Sequence, residues 1–418
     1  MRIFDAQSLA HIKKKQYLCS RNYYSNNNYN YNNCDIMLKD SQINPFVIGK
    51  YVSDEYFCDR EEETELLRKQ LINGRNVTLI SDRRIGKSGL ISHLFAQQDI
   101  REQFYTVSID LYSTGSLAEL VCMFSDAVYR TVQKHTSSWK DKFFQVISSL
   151  RVGFKLDPLS GSPTLDVGVG DVPAPAMTLE QIFAFLELAD KPCIVAFDEF
   201  QQITNYDERN VEALLRTLIQ LCQRTHFIFA GSRKHLMAQM FLSPAKPFYQ
   251  STMNLALEPI AKDIYTDFAC AMFRKASKEL DRAAAERIYD MFHGITWYMQ
   301  VMMNEMFTLT AVGQTCSTDS IDTAMQNIVR LQEPFYRELL SAMPSKQKAL
   351  LYAIAKEGNA VGLTSAEFIS RHSLSSASSV QAAMRGLREK DLVTEENNTS
   401  RIYDVFMEQY ILHDILGK

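Results

Sequence analysis

Gly86-Lys87-Ser88 follow the short apolar run "NVTLIS" (76–81), and Asp198-Glu199 fall near the end of a second apolar run, "CIVAFDEF" (193–200). A lysine and a serine opening a helix behind a glycine suit a polyphosphate. Successive backbone N–H groups and the positive end of the helix surround the anion, and the ammonium adds a point charge. In that arrangement Gly86 gives the backbone an unusual conformation, Lys87 reaches the β- and γ-phosphates, and Ser88 offers its hydroxyl to Mg²⁺. Asp198 would hold the Mg²⁺ shell, and Glu199 would orient or deprotonate an attacking water. Together these residues point to hydrolysis of ATP with Mg²⁺.

The full phosphate-loop pattern is G-x-x-x-x-G-K-[ST], and Ser81 stands at its first position. Serine is small, and entry to the turn does not demand a positive φ, so the substitution is expected to be tolerated. The expected cradle runs through Ser81, Asp82, Arg83, Arg84, Ile85, Gly86, Lys87, Ser88 and Gly89, with both arginines adding charge beside the triphosphate. A third apolar run, "FIFAGSRKHLM", ends in Gly231-Ser232. Ser232 reads either as a polar sensor of the γ-phosphate or lytic water, or as a helix N-cap. Arg233 and Lys234 read as a solvated pair. Phe57, Arg60 and Glu63, in "YFCDREEETELL" (56–67), stand ahead of the phosphate loop, at the start of a helix with acids in its first turn. The histidines show no metal or triad spacing and read as structural.

The elements that must position these groups follow from hydrophobic patterning. Strands are expected at 76–81, 104–111, 193–200, 226–232 and 253–259, with helices beginning at Glu61 and spanning 86–97, 116–133 and 209–224. Continuously apolar strands alternating with helices imply an α/β fold, a P-loop NTPase parallel sheet covered on both faces. The separation of 111 positions from Lys87 to Asp198 leaves room for two βα units, so both motifs can lie at strand carboxyl ends, where ligands bind in such sheets. The ATPase core is expected over 44–260, interrupted by a β-hairpin at about 150–172 that reads as a solvated decoration or a partner surface. A helical lid is expected over 261–340. Three helices (345–358, 364–372, 376–393) and a hairpin (392–406) then give the order of a winged-helix domain over 341–418.

Composition bounds the rest. A net charge of −4 and a pI of about 6.1 give no whole-chain support for nucleic-acid binding. The winged-helix segment holds nine lysines and arginines against nine acids, although Ser376, Ser378, Ser379, Gln381, Arg385 and Arg388 line its recognition helix. DNA, a protein partner and a second copy of the chain all stay open as partners. Eight cysteines without a C-x-x-C pair argue against zinc or a disulfide framework and for a reducing, cytoplasmic setting. No apolar run is long enough to span a membrane. In "RNYYSNNNYNYNN" (21–33) asparagine and tyrosine fill eleven of thirteen positions, so residues 1–43 are expected to be disordered. Alternatively, residues 1–36 are an over-extended gene start and Met37 is the true first residue.

Assembled, these stretches resemble the archaeal-type ATPase family, signal-transduction ATPases near the AAA+ group. The resemblance rests on "YFCDREEE", "LISDRRIGKSGL", "CIVAFDEFQQI", "FIFAGSRKHLM", "KPFYQSTMNLALEPI" and "HGITWYMQVMMNEMF" and covers roughly Asn44 to Leu416. It implies an α/β ATPase core with ATP and Mg²⁺, a helical lid and a C-terminal winged helix, and it places Phe57 and Arg60 on the adenine side. Ser81 departs from the family glycine, Thr296 stands where relatives carry the proline of the lid's G-x-P, and Gln250-Ser251 replace a common Gly-Arg. Three functions compete: an ATPase whose hydrolysis resets a switch, a motor on nucleic acid or protein, and a DNA-binding regulator that keeps only nucleotide binding. Glu199 favours turnover.

Overall fold

A computed structural model of the chain describes residues 44–49, 51–133, 153–156, 163–166, 174–396 and 398–417. The asparagine–tyrosine tract and the Met37 alternative lie outside the described residues. Among the described residues, the first two thirds of the chain holds seven strands: β1 (Val77–Ile80), β2 (Tyr105–Asp110), β3 (Gly153–Leu156), β4 (Pro163–Asp166), β5 (Cys193–Asp198), β6 (Thr225–Gly231) and β7 (Met253–Ala256). Strands β3 and β4 pair in a two-stranded sheet of their own. The other five form one sheet in the order β2-β5-β6-β1-β7, with every neighbouring pair parallel. This is the expected α/β class.

Strands β1, β5 and β6 are buried along almost their whole length, which is why they read as unbroken apolar runs. Register aligns their ends. Ile80 lies opposite Gly231, and Asp110 lies opposite Asp198. The residues that follow β1 and β6, together with the last residues of β2 and β5, therefore emerge on one rim. One face of the sheet is filled by phenylalanines, among them Phe197 stacked on Phe229 with ring centroids 6.1 Å apart and Phe200 tilted against Phe229 at 4.6 Å. The other face packs Leu79, Ala196 and Ala230 against Leu67, Leu71, Leu90 and Leu94 of the helices Glu61–Ile72 and Lys87–Ala96.

Beyond β7 the chain is helical: Lys262–Lys275, Arg282–Met291, Thr296–Leu309 and Asp319–Ser341, with a short parallel pair, β8 (Glu279–Leu280) and β9 (Thr315–Cys316), that two-residue strands make invisible to periodicity. Helices Ser345–Glu357, Ala366–Arg371 and Ala377–Glu389 follow. A three-stranded sheet completes the winged helix: β10 (Ala360–Val361), β11 (Val393–Glu396) and β12 (Thr399–Ile402), all antiparallel. Two boundaries differ from the sequence reading. The helix expected to reach 393 ends at Glu389, because Asp391 turns the chain with φ 53°. The hairpin expected to run to 406 stops at Ile402, because the carboxylate of Asp404 accepts from the N–H groups of Phe406 and Met407 and caps a further helix, Val405–Tyr410. The lid and the winged helix share one apolar core, running from Ile260 through Met299, Met302 and Met306 to Leu350, Phe406 and Ile411. The methionine-rich stretch 298–307 is core, as its pattern suggests.

Glu408 is the costly residue of that junction. Burial pushes its carboxyl up to about 7 from an ordinary 4.5, against the pull of Arg401. A carboxyl whose folded value is raised contributes most below pH 4.5, and the contribution is lost as pH rises through 7. Glu408→Gln should therefore raise stability by about 2 kcal/mol at pH 8 and leave it unchanged at pH 4.5. Thermal melts of the two proteins at both pH values check this.

Candidate active site

The turn after β1 closes on itself through Lys87. The helix Lys87–Ala96 begins behind Gly86, whose φ of 113° is open to glycine at little cost. A Cβ at Gly86 would meet nothing within 4 Å, so the backbone angle alone demands glycine. Lys87 is buried, and its Nζ donates to the carbonyls of Asp82 (2.9 Å) and Ser81 (3.3 Å) and to Ser81 Oγ (3.1 Å). Burial lowers its pKa, while Glu199, Asp198 and Asp82 oppose that shift. Ser81 is fully buried and is not among the residues with positive φ. Its hydroxyl donates to Asp82 O at 2.9 Å and accepts from Lys87, two contacts a glycine could not make. Asp82 itself turns outward to an ion pair with Lys234 at 2.7 Å, and Ile85 is buried in the core.

Across the rim, Ser88 Oγ donates to Asp198 Oδ2, which brings the expected Mg²⁺ pair into direct contact. Burial raises the pKa of Asp198, with Glu199 adding to the rise. A hydroxyl–carboxylate pair of this kind suits a hard cation, since oxygen donors are what Mg²⁺ takes and a cation would hold the carboxylate ionised. Glu199 sits at φ 52°, a left-handed backbone rare outside glycine. That turn aims its carboxylate at Ser232, whose Oγ donates to Glu199 Oε2 at 2.7 Å, and at Gln201, whose amide also donates to it. The N-cap alternative for Ser232 is not realised: the next helix starts at Lys234 with Arg233 as its cap and no side-chain cap bond. Arg83 Nε donates to Ser232 Oγ at 3.2 Å, and its Nη1 pairs with Asp391 at 3.0 Å. Arg233 pairs with the same carboxylate at 3.3 Å. The expected solvated pair Arg233-Lys234 is thus a pair of ion-bridged residues, because the winged helix and the phosphate turn each bring an acid to it.

Lys87, Ser88, Gly89, Asp198 and Glu199 line one cavity of about 530 Å³ with Phe57, Arg83, Arg84 and residues of the lid and winged helix. Arg84, expected to add charge beside the phosphates, lines that cavity with its guanidinium lying over three rings, Trp297 (4.2 Å to the centroid), Tyr298 (4.8 Å) and Tyr403 (5.5 Å), a cation–π nest worth about 1–2 kcal/mol. Its carbonyl accepts from Trp297 N (3.0 Å), and Thr296 Oγ1 donates to Ile85 O (2.9 Å). Threonine, where the resembling family carries proline, thus ties the helix Thr296–Leu309 to the turn after β1. Arg60 departs from its expected adenine-side role. It is buried, donates to Glu258 O at 2.6 Å and pairs with Glu63, so it braces the first helix against the strand-to-lid link and is absent from the cavity wall. Phe57 does reach the wall and stacks on His93 at 4.2 Å.

The cavity also takes Tyr51, Gln300, Tyr403, Asp110 and Tyr112, none of which the sequence singled out. Asp110 had a signal, since it closes an apolar strand as Asp198 does. Tyr403 had none, because only the tertiary fold brings it there. Gly294 shapes the lid's approach, with φ 71° and a position where a Cβ would meet Tyr289 and Pro259 within 2.9 Å. Gly294→Ala should cost about 2–4 kcal/mol, adding backbone strain to overpacking, as a drop in the urea midpoint will report.

Residues 334–413 match the family model described as a probable winged helix domain. The chain is similar to the structure of a Walker-type ATPase of Pyrococcus abyssi, at a TM-score of 0.60 and 20% identity over 88% of this chain and 99% of that one. It is also similar to the ORC2 protein of Aeropyrum pernix, solved as ADPNP–ADP complexes, at a TM-score of 0.52 and 12% identity over 89% and 98%. No curated protein sequence matches the chain. At these identities the likeness is one of fold: a P-loop ATPase sheet with a C-terminal winged helix. Among the described residues no helix is long and apolar enough to cross a membrane.

Proposed function

We propose that the chain binds ATP with Mg²⁺ and hydrolyses it, and that the state of the nucleotide sets how the lid and winged helix are held. The observation that carries this reading is the shared cavity in which Lys87 and Ser88 face Asp198 and Glu199. Lys87 meets the β- and γ-phosphates, exchanging loop carbonyls for anionic oxygens. Ser88 and Asp198 would hold Mg²⁺, which would neutralise charge developing on the phosphates. Glu199 accepts a proton from, or orients, the attacking water, and Ser232 and Gln201 fix its carboxylate. Excluding water falls to Thr296, Trp297 and Tyr403, which line the same cavity from the lid and the winged helix. Phosphate release from ATP, measured with and without Mg²⁺, tests the reading. Turnover that needs the metal supports it, and no turnover together with no ATP binding removes it.

A second reading, a nucleotide-regulated DNA-binding or docking protein, draws on Gln381 and Arg385, both exposed on the recognition helix. Arg388 is already paired with Glu395, so fewer cations face outward there than the sequence suggests. A salt-dependent mobility shift with duplex DNA would favour this reading, and none at low salt would dismiss its DNA-binding form.

A further inference from the structure

An unbroken polar chain leads from the hydrolytic end of the site into the winged helix. Glu199 Oε2 accepts from Ser232 Oγ (2.7 Å), Ser232 Oγ accepts from Arg83 Nε (3.2 Å), and Arg83 Nη1 pairs with Asp391 Oδ2 (3.0 Å). Arg233 meets the same oxygen at 3.3 Å. Arg83 lines the nucleotide cavity beside Lys87 and Ser88, so a terminal phosphate and Asp391 are two anions within reach of one guanidinium. Asp391 occupies the turn between the recognition helix and β11, where φ is 53°. Any change in its bond to Arg83 is therefore felt directly by the wing.

We infer that Asp391 is the winged helix's reporter of the γ-phosphate: a bound triphosphate draws Arg83 away from Asp391 and loosens the wing, whereas a diphosphate leaves the ion pair in place. The inference rests on the proposal that the cavity holds ATP. Its physical basis is charge competition. A half-exposed ion pair contributes little, and a γ-phosphate offers Arg83 more negative charge and two acceptor oxygens in fork geometry. Linkage makes the effect reciprocal, so the aspartate must weaken triphosphate binding by the factor by which the triphosphate weakens the wing's attachment.

The test compares Mg²⁺–ADPNP and Mg²⁺–ADP binding to the full chain and to Asp391→Asn by titration calorimetry. Asparagine accepts the left-handed backbone and keeps the side chain's shape, so only the charge is removed. The expected result is tightening for ADPNP by roughly tenfold, with ADP changed less than about twofold. In Arg83→Gln the Asp391→Asn substitution should then have no further effect on ADPNP, which a merely structural role for Asp391 would not produce. Hydrogen exchange of the β11 and β12 amides in the unmutated chain should quicken with ADPNP and not with ADP. Equal shifts for both nucleotides, no shift, or a β11–β12 exchange rate indifferent to ADPNP would overturn the inference while leaving ATP binding intact. Failure of the unmutated chain to bind either nucleotide would instead remove the reading beneath it.

Discussion

Lys87→Ala lowers the affinity for ATP by at least about 100-fold. In the proposed complex the lysine would make charge-assisted bonds to two phosphates, each worth about 1.5–3 kcal/mol, and about 3 kcal/mol is roughly two decades in Kd. The structure adds a cost that a surface lysine would not carry. Its Nζ donates to the carbonyls of Ser81 and Asp82 and to the hydroxyl of Ser81, so alanine removes three bonds from the turn, and of the three acceptors only Asp82 O keeps another donor, the Ser81 hydroxyl. The variant should bind ATP weakly and also melt somewhat lower. Calorimetric titration with Mg²⁺–ATP measures the first effect and a thermal melt the second. Retention of ATP affinity would show that the turn is a structural bend and not a phosphate cradle.

Glu199→Gln separates binding from turnover. Glutamine keeps the shape and can still meet Ser232 and Gln201, but it cannot take a proton from water. Turnover should fall by roughly 10²–10⁴-fold while the Kd for ATP stays within about threefold. The left-handed backbone at Glu199 is kept by the same local fold in the variant, so the effect reads on the carboxylate itself. Single-turnover phosphate release measures the chemical step. An unchanged rate would assign the water to another group, for which Asp110, opposite Asp198 on the neighbouring strand, is the nearest carboxylate by register.

The centre of the sheet was legible because β1, β5 and β6 are buried on both faces and so announce themselves as apolar runs. The pairing of Lys87 and Ser88 with Asp198 and Glu199 was legible for the same reason: a parallel sheet puts strand carboxyl ends on one rim, and a motif at each end must meet. What escaped was set by tertiary contact. Arg83 and Arg84 are adjacent and chemically alike, yet one turns to Ser232 and Asp391 and the other to Trp297, Tyr298 and Tyr403. No local pattern distinguishes them, because their partners lie more than a hundred residues away. Arg60 looked like a ligand residue because of its place before the phosphate turn, but its left-handed backbone and the carbonyl of Glu258 commit it to bracing. The end of the winged-helix hairpin was misjudged because "IYDVF" keeps a strand-like alternation until Asp404 caps a helix within it.

The central claim is that a nucleotide and its metal share the crevice between Gly86-Lys87-Ser88 and Asp198-Glu199. A crystal structure of the chain grown with ADPNP and Mn²⁺, with the metal located from its anomalous signal, addresses it most directly. The metal is expected at Ser88 Oγ facing Asp198, with the terminal phosphate against Lys87. Density for the nucleotide elsewhere, or a metal peak away from both residues, would contradict it.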